Sequence, residues 1–295
     1  MARPAEKVYF LMFCLAGREQ EAFFMRDISD YTRQYEKSNF ENKYQVKYRR
    51  KKVLALMEQY PHDDILEIGC GLSPLALFLP NLGKCTIVEP SEEFAAHARA
   101  LVQNMRGVHV VQGFFEDVAP KLADEAFDYV ICSSLLHEVE EPERLLKAIL
   151  TLPAVLTGHA VVHINVPNAH SFHRLLAVES GLIPDVKTFS RQNLVFQQHA
   201  VYDMELLNET IETCAKACGR SVKVLDAGSY FVKPLTHRQM QQCMECDIFD
   251  ERVLDGFDRM IKYMPKLGSE IYVNFRLTPS RKEGLHEEER KEREV

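Results

Sequence analysis

The stretch Ile65-Leu-Glu-Ile-Gly-Cys-Gly-Leu-Ser-Pro-Leu75 decides how this chain folds. A short apolar run carries one acid, Glu67, near its end; Gly69 and Gly71 follow, then a segment that favours a helix. Strands buried on both faces of a parallel sheet read as such near-continuous apolar runs. Glycines just beyond the strand allow a sharp turn and let the backbone close on a ligand, because they lack Cβ. Eighteen residues past Gly71 a second run, Cys85-Thr-Ile-Val-Glu89, ends in a carboxylate and meets Pro90. In nucleotide-binding α/β sheets an acid about 20 residues after the glycine loop meets ribose hydroxyls. Together these features predict a site for a nucleoside-containing ligand.

A dinucleotide fingerprint needs a third glycine, so that a helix N-terminus can face a pyrophosphate. Here Leu72, Ser73 and Pro74 occupy that region. Proline suits the first turn of a helix but offers no N–H to a phosphate. The loop suits an adenosine whose tail is an amino acid. Glu67-Ile-Gly-Cys-Gly71 resembles the first motif of the class I S-adenosylmethionine (SAM)-dependent methyltransferases. The resemblance implies a Rossmann-like α/β fold, SAM as cofactor, Gly69, Cys70 and Gly71 around it, and Glu67 near its amino group. It also implies that Glu89, followed by Pro90, accepts from the ribose.

From Asp63 strand and helix patterns alternate regularly, as in a parallel α/β sheet. Strands are expected at 64–68, 84–88, 108–112, 127–132, 159–166, 221–232 and 269–277, with helices near 74–80, 91–104 and 142–150. Seven strands, mostly parallel with helices on both faces and the final strand antiparallel, match the methyltransferase sheet. Three regions are expected: a helical arm over 1–60, the methyltransferase domain over 61–280, and a charged, disordered tail over 281–295. Residues 167–202 are long for one connection and are read as a substrate lid.

Ligands of open α/β sheets sit beyond the carboxyl ends of the strands. After the third strand, Gln112-Gly-Phe-Phe-Glu-Asp117 has Phe114 where the family usually has aspartate. Phe114 or Phe115 is then a candidate to stack on adenine, with Glu116 near its amino group. After the fourth strand, Ser133-Ser-Leu-Leu-His-Glu-Val139 resembles the loop that passes beneath the cofactor's methionine, which marks Ser133 and Ser134. In ubiquinone-type O-methyltransferases this loop carries Leu-Glu-His-Val; here His137 and Glu138 have exchanged order. Ser134 replaces that group's first metal-binding acid, so no metal is expected. His137 is a candidate general base, because an unperturbed imidazole titrates near pH ~6.5.

The fifth strand is followed by Asn165-Val-Pro-Asn-Ala-His-Ser-Phe-His-Arg-Leu-Leu176. Proline closes a strand, and His170, His173 and Arg174 are spaced to share one face of the next helix. His170 and His173 join His137 as catalytic candidates, with Arg174 orienting a carboxylate or phosphate. This block, Gln198-His-Ala-Val-Tyr202 and Phe231-Val-Lys-Pro-Leu235 resemble methyltransferases of sugar, lipopolysaccharide and natural-product pathways. His199 and Tyr202, with Tyr35 from the helical arm, are therefore expected at the acceptor.

Composition bounds the partners. A net charge of −7 over 295 residues argues against nucleic-acid binding as the main activity. Lys47, Arg49, Arg50, Lys51 and Lys52 read as a solvated helix face. Met204, Leu207, Ile211, Cys214, Ala215 and Cys218 form one helical stripe, so the first pair of the late cysteines reads as core rather than zinc ligands. Val8 to Ala16 is too short to span a bilayer and reads as a packing segment, or as lying before a true start at Met12 or Met25. The expected location is cytoplasmic, and the expected partner a small-molecule acceptor, with a homodimer allowed and no membrane. O-methylation of a small polar molecule is favoured, N-methylation next, then a peptide or protein substrate, then a non-catalytic SAM-binding role.

Overall fold

The computed structural model describes residues 27–80 and 82–280. The expectations for Val8–Ala16 and for the tail beyond Ser280 lie outside the described residues. Seven strands form one sheet: β1 Asp64–Ile68, β2 Lys84–Glu89, β3 Val108–Gln112, β4 Tyr129–Ser133, β5 Val161–Pro167, β6 Arg220–Tyr230 and β7 Glu270–Pro279. Their order is β3-β2-β1-β4-β5-β7-β6, with β7 antiparallel to both its neighbours. Strand order reverses between β1 and β4, the switch point beyond which such sheets bind ligands. The sheet matches the Rossmann-like expectation.

The alternation of side chains along β1 sets the site. Leu66 and Ile68 enter the core on one face, with Val130, Cys132, Val162 and Ile164. That face is covered by α5 (Pro142–Leu150) and α9 (Met204–Ala217), whose Leu207, Ile211, Cys214 and Ala215 are buried. Ile65 enters the opposite core with Ile87, Tyr129 and Ile131, under Val53 and Met57 of α2 (Val46–Met57) and Ala98 of α3 (Glu92–Val102). Side chains two apart on a strand share a face, so Glu67 points to the α2 side.

Local chemistry accounts for the element ends. Ser91 caps α3 by accepting from the Phe94 N–H, and Asp203 caps α9 through the Leu206 N–H. The helix expected near 74–80 is a single 3₁₀ turn, Leu75–Phe78, between Pro74 and the extended Leu79 that precedes Pro80. A third apolar cluster joins Phe40, Tyr44, Tyr48 and Leu56 to Tyr230, Phe231 and Tyr272. It also takes Met240 of α10 (His237–Glu245) and Leu254 of α11 (Glu251–Arg259). This cluster pins α2 and the turn before it, which follow α1 (Ile28–Glu36), to the β6–β7 end of the sheet. Between β5 and α9 run α7 (Phe172–Glu179) and the short α8 (Arg191–Val195). The remaining short helices, α4 (Phe115–Val118) and α6 (Pro153–Leu156), complete the connections.

Candidate active site

A cavity of about 260 Å³ opens beyond the carboxyl ends of β1, β2 and β4 and extends under α1 and α2. Gly69 (φ +76) and Gly71 (φ +53) hold left-handed backbone that only glycine adopts readily, and they line it. A Cβ on Gly71 would come within 3.7 Å of the Tyr35 ring, which covers the loop from α1. Tyr35 stacks on Tyr31 at 5.7 Å and meets Phe94 edge-on at 5.9 Å. Tyr31 in turn touches Phe196, just past α8, at 6.4 Å.

Glu89 ends β2 with its carboxylate turned to the glycine loop. Oε2 accepts from the N–H groups of Cys70 (3.1 Å) and Gly71 (3.3 Å), and Oε1 from Ser91 (2.9 Å). Burial raises its pKa against the lowering effect of these bonds. Among the described residues no ion pair neutralises it, so vicinal hydroxyls are suitable partners for its lone pairs. Glu67 receives the Leu75 N–H on both oxygens, at 3.1 and 3.0 Å. Burial pushes its carboxyl up to about 8. Cys70, Pro90, Ser133 and Ser134 complete this end, Ser134 at φ +55. Two left-handed glycines, a buried acid at each strand end and no third glycine suit an adenosyl amino acid and not a pyrophosphate.

His137 is buried after β4 and lines the cavity, its Nε2 3.7 Å from Glu138 Oε1. Its carbonyl accepts the His199 and Ala200 N–H groups, at 2.9 and 3.3 Å. Past β5, His173 lines the cavity and its buried Nδ1 has no hydrogen-bond partner. Burial, then Lys233 and Arg174, hold its pKa well below the ordinary value.

Several predicted residues lie elsewhere. α7 begins at Phe172 with Ser171 as its cap residue, so His170 precedes the helix and does not share its face with His173. His170 is exposed and its N–H is taken by Asn168 Oδ1 at 2.9 Å. Arg174 reaches the cavity wall, but its guanidinium donates to the carbonyls of Val186 (3.1 and 2.8 Å) and Thr188 (2.7 Å). His199 is exposed, and Tyr202 is core, 2 % exposed. Phe114 is 45 % exposed and Phe115 packs in the core, and neither they nor Glu116 line the cavity.

A cluster that sequence reasoning missed closes the far end. Glu270, at the start of β7, takes a bidentate pair from Arg49 (Nε 2.9 Å, Nη2 2.6 Å). It also accepts from Gln45 (2.8 Å), Asn165 (2.7 Å) and the Tyr230 hydroxyl. Arg49 also meets Glu41 at 2.7 Å, and His237 Nε2 lies 3.5 Å from the same carboxylate. Burial opposes the charge on Glu270, but Arg49 wins and holds its carboxyl below the usual range. The basic run on α2 is therefore not one solvated face: Arg49 and Arg50 line the cavity, while Lys47 and Lys51 pair outside with Glu251 and Asp258. The overlooked signal is Glu41, Gln45 and Arg49 at four-residue spacing, one polar stripe beside the aromatic stripe of Tyr44 and Tyr48.

Comparison with known proteins agrees with this geometry. Residues 66–152 match the family described as "Methyltransferase domain". A thiol S-methyltransferase of Mus musculus, TMT1B, is 28 % identical over 88 residues, 29 % of this chain. The chain spans only 36 % of that relative's length. Among solved structures, the plantazolicin methyltransferase BamL, in complex with a desmethyl analogue and SAH, superposes with a TM-score of 0.53 at 12 % identity, covering 85 % of this chain and 96 % of that one. The methyltransferase solved with the Haloferax volcanii Trm112 activator gives 0.53 at 13 % identity, covering 85 % and 98 %. Residues 66–152 thus resemble a methyltransferase domain, and the two solved methyltransferases share the fold of the chain.

Proposed function

We propose that the chain transfers a methyl group from SAM to a small polar acceptor, with a hydroxyl oxygen favoured. The observation that carries this reading is a single cavity. One end has the donors and acids of an adenosyl site; the other has His137 and His173 beside polar side chains. When bound, SAM supplies an electrophilic methyl carbon on its sulfonium. The chain's own work is to hold an acceptor in line, exclude water and take a proton. Tyr31, Tyr35 and Phe196 roof the cavity, and the stretch around α8 touches α1 through Asp27 and Gln197 (3.0 Å). In this reading residues 167–202 act as a lid closed against the N-terminal helical arm.

His137 is the better proton acceptor of the two cavity histidines. Protonated His173 would sit buried beside Lys233 and Arg174, which disfavours its charged form. His137 has Glu138 next to it to stabilise an imidazolium.

Two measurements test the proposal. Calorimetry with S-adenosylhomocysteine should show Glu89→Ala binding roughly 10- to 100-fold weaker than wild type, the value of charge-assisted hydrogen bonds. Equal affinity would remove the ribose assignment. A screen of hydroxylated metabolites with SAM should find an acceptor gaining about 14 Da, the CH₂ increment of methyl transfer. Tight cofactor binding with no gain across hydroxyl, amine and thiol acceptors would reject catalysis.

A further inference from the structure

At the end of the cavity away from the glycine loop stands a lysine that the transfer reaction does not use. Lys233 is 4 % exposed and lines the cavity three residues beyond the end of β6. The chain reaches it through Phe231, whose φ of +56 is left-handed backbone for an aromatic residue. That turn is held from several sides. The Phe231 ring stacks on Tyr48 at 4.4 Å, its carbonyl accepts the Ser269 N–H (2.8 Å), and the Val232 N–H donates to Phe257 (3.1 Å). Strain held this firmly aims a side chain rather than letting it swing out to solvent.

Among the described residues no carboxylate lies within 4.0 Å of the Lys233 Nζ. The two acids that act on it through space, Glu41 and Glu270, are committed elsewhere. Glu270 is occupied by Arg49, Gln45, Asn165 and Tyr230, and Glu41 by Arg49 and His237. Burial lowers the amine to about 8, which leaves it charged at neutral pH. His173 is held neutral by burial, so it brings an N–H donor without a second charge. The His173 Nδ1 is buried without a partner. An ammonium buried without contact to an anion is costly, and an anion arriving with the substrate relieves that cost.

We propose that Lys233, with His173, forms an oxyanion subsite that receives a carboxylate or phosphate on the methyl acceptor. This rests on the methyltransferase reading and names the acceptor's class: a small hydroxylated acid or phosphate ester. Lys233 is here a binding and specificity residue, not a catalytic one.

The test loads the full chain with S-adenosylhomocysteine and titrates inorganic phosphate and acetate separately, at constant ionic strength. At least one should bind wild type, with a loss of roughly tenfold or more in Lys233→Met. Lys233→Arg should retain most of the affinity, and all three proteins should bind S-adenosylhomocysteine alike. Preference for phosphate or acetate tells a phosphorylated acceptor from a carboxylic one. Binding of neither anion, or equal binding in Lys233→Met, overturns the subsite. Loss of S-adenosylhomocysteine affinity in Lys233→Met also overturns it, by assigning the lysine to the cofactor. A wild type that does not bind S-adenosylhomocysteine would instead remove the methyltransferase reading itself. If Lys233→Met does not fold, lysine ¹⁵N spectra of wild type decide: the Lys233 Nζ signal should move on anion addition, and a fixed signal rejects the proposal.

Discussion

Glu67 shows how one carboxylate on a buried strand couples pH to stability. Its folded pKa of about 8 lies above the unfolded value near ~4.3, because burial penalises the charged form. The folded state therefore holds an extra proton between these values, and ∂ΔG/∂pH from this group is negative. The stability it contributes is present in full below pH ~4.3 and is lost as pH rises through about 8. Denaturant melts of the cofactor-free protein should show wild type losing stability relative to Glu67→Gln from pH 5 to 8. A flat difference would mean that the acid is ionised in the folded chain. The histidines separate at the same scale. His137→Ala should slow single-turnover transfer by about 10²-fold or more, the usual worth of a general base, and His170→Ala by less than about twofold. Similar losses for both would return the exposed His170 to the reaction.

At the scale of elements, Arg174 acts as a strut. From the first turns of α7 it spans to Val186 and Thr188 and ties the far side of the β5–α9 connection to the helix. Its three bonds go to backbone carbonyls, where a guanidinium's planar donors are well matched. Few apolar side chains hold this stretch, and Leu182 and Phe189 are exposed. Removing the strut should open it locally without unfolding the sheet. Hydrogen exchange at residues 182–190 should accelerate by roughly tenfold in Arg174→Met, while β1 and β4 amides stay protected. Uniform acceleration across the sheet would show that Arg174 supports the whole fold instead.

For the whole molecule, the Arg49–Glu270 pair is where the N-terminal helices and the antiparallel end of the sheet meet. It joins α2 to β7, with Glu41 also accepting from Arg49, and Gln45, Asn165 and Tyr230 donating to Glu270. A buried ion pair costs far more to halve than to replace. Glu270→Ala should lose about 3–5 kcal/mol in equilibrium urea unfolding, and the double change Arg49→Met with Glu270→Met should recover much of it. A loss under about 1 kcal/mol in Glu270→Ala would mean that water already screens the pair. No helix among the described residues is long and apolar enough to cross a membrane.

The sheet and the glycine-loop end of the cavity were legible from residues 64–134, because both obey local rules. A doubly buried strand must be apolar, a left-handed turn must be glycine, and a strand-end acid falls at a spacing set by one βαβ unit. Gly69, Gly71, Glu67 and Glu89 therefore stand where the pattern placed them. The acceptor end obeys no such rule. Lys233, His237, Glu270 and Arg49 come from segments up to 221 positions apart, and only the packing of α2 against β6 and β7 brings them together. Two residues' difference in where α7 begins separates His170 from His173, a shift that periodicity does not resolve. Local backbone chemistry decided the glycine-loop end of the cavity; long-range burial of charge decided what sits opposite it.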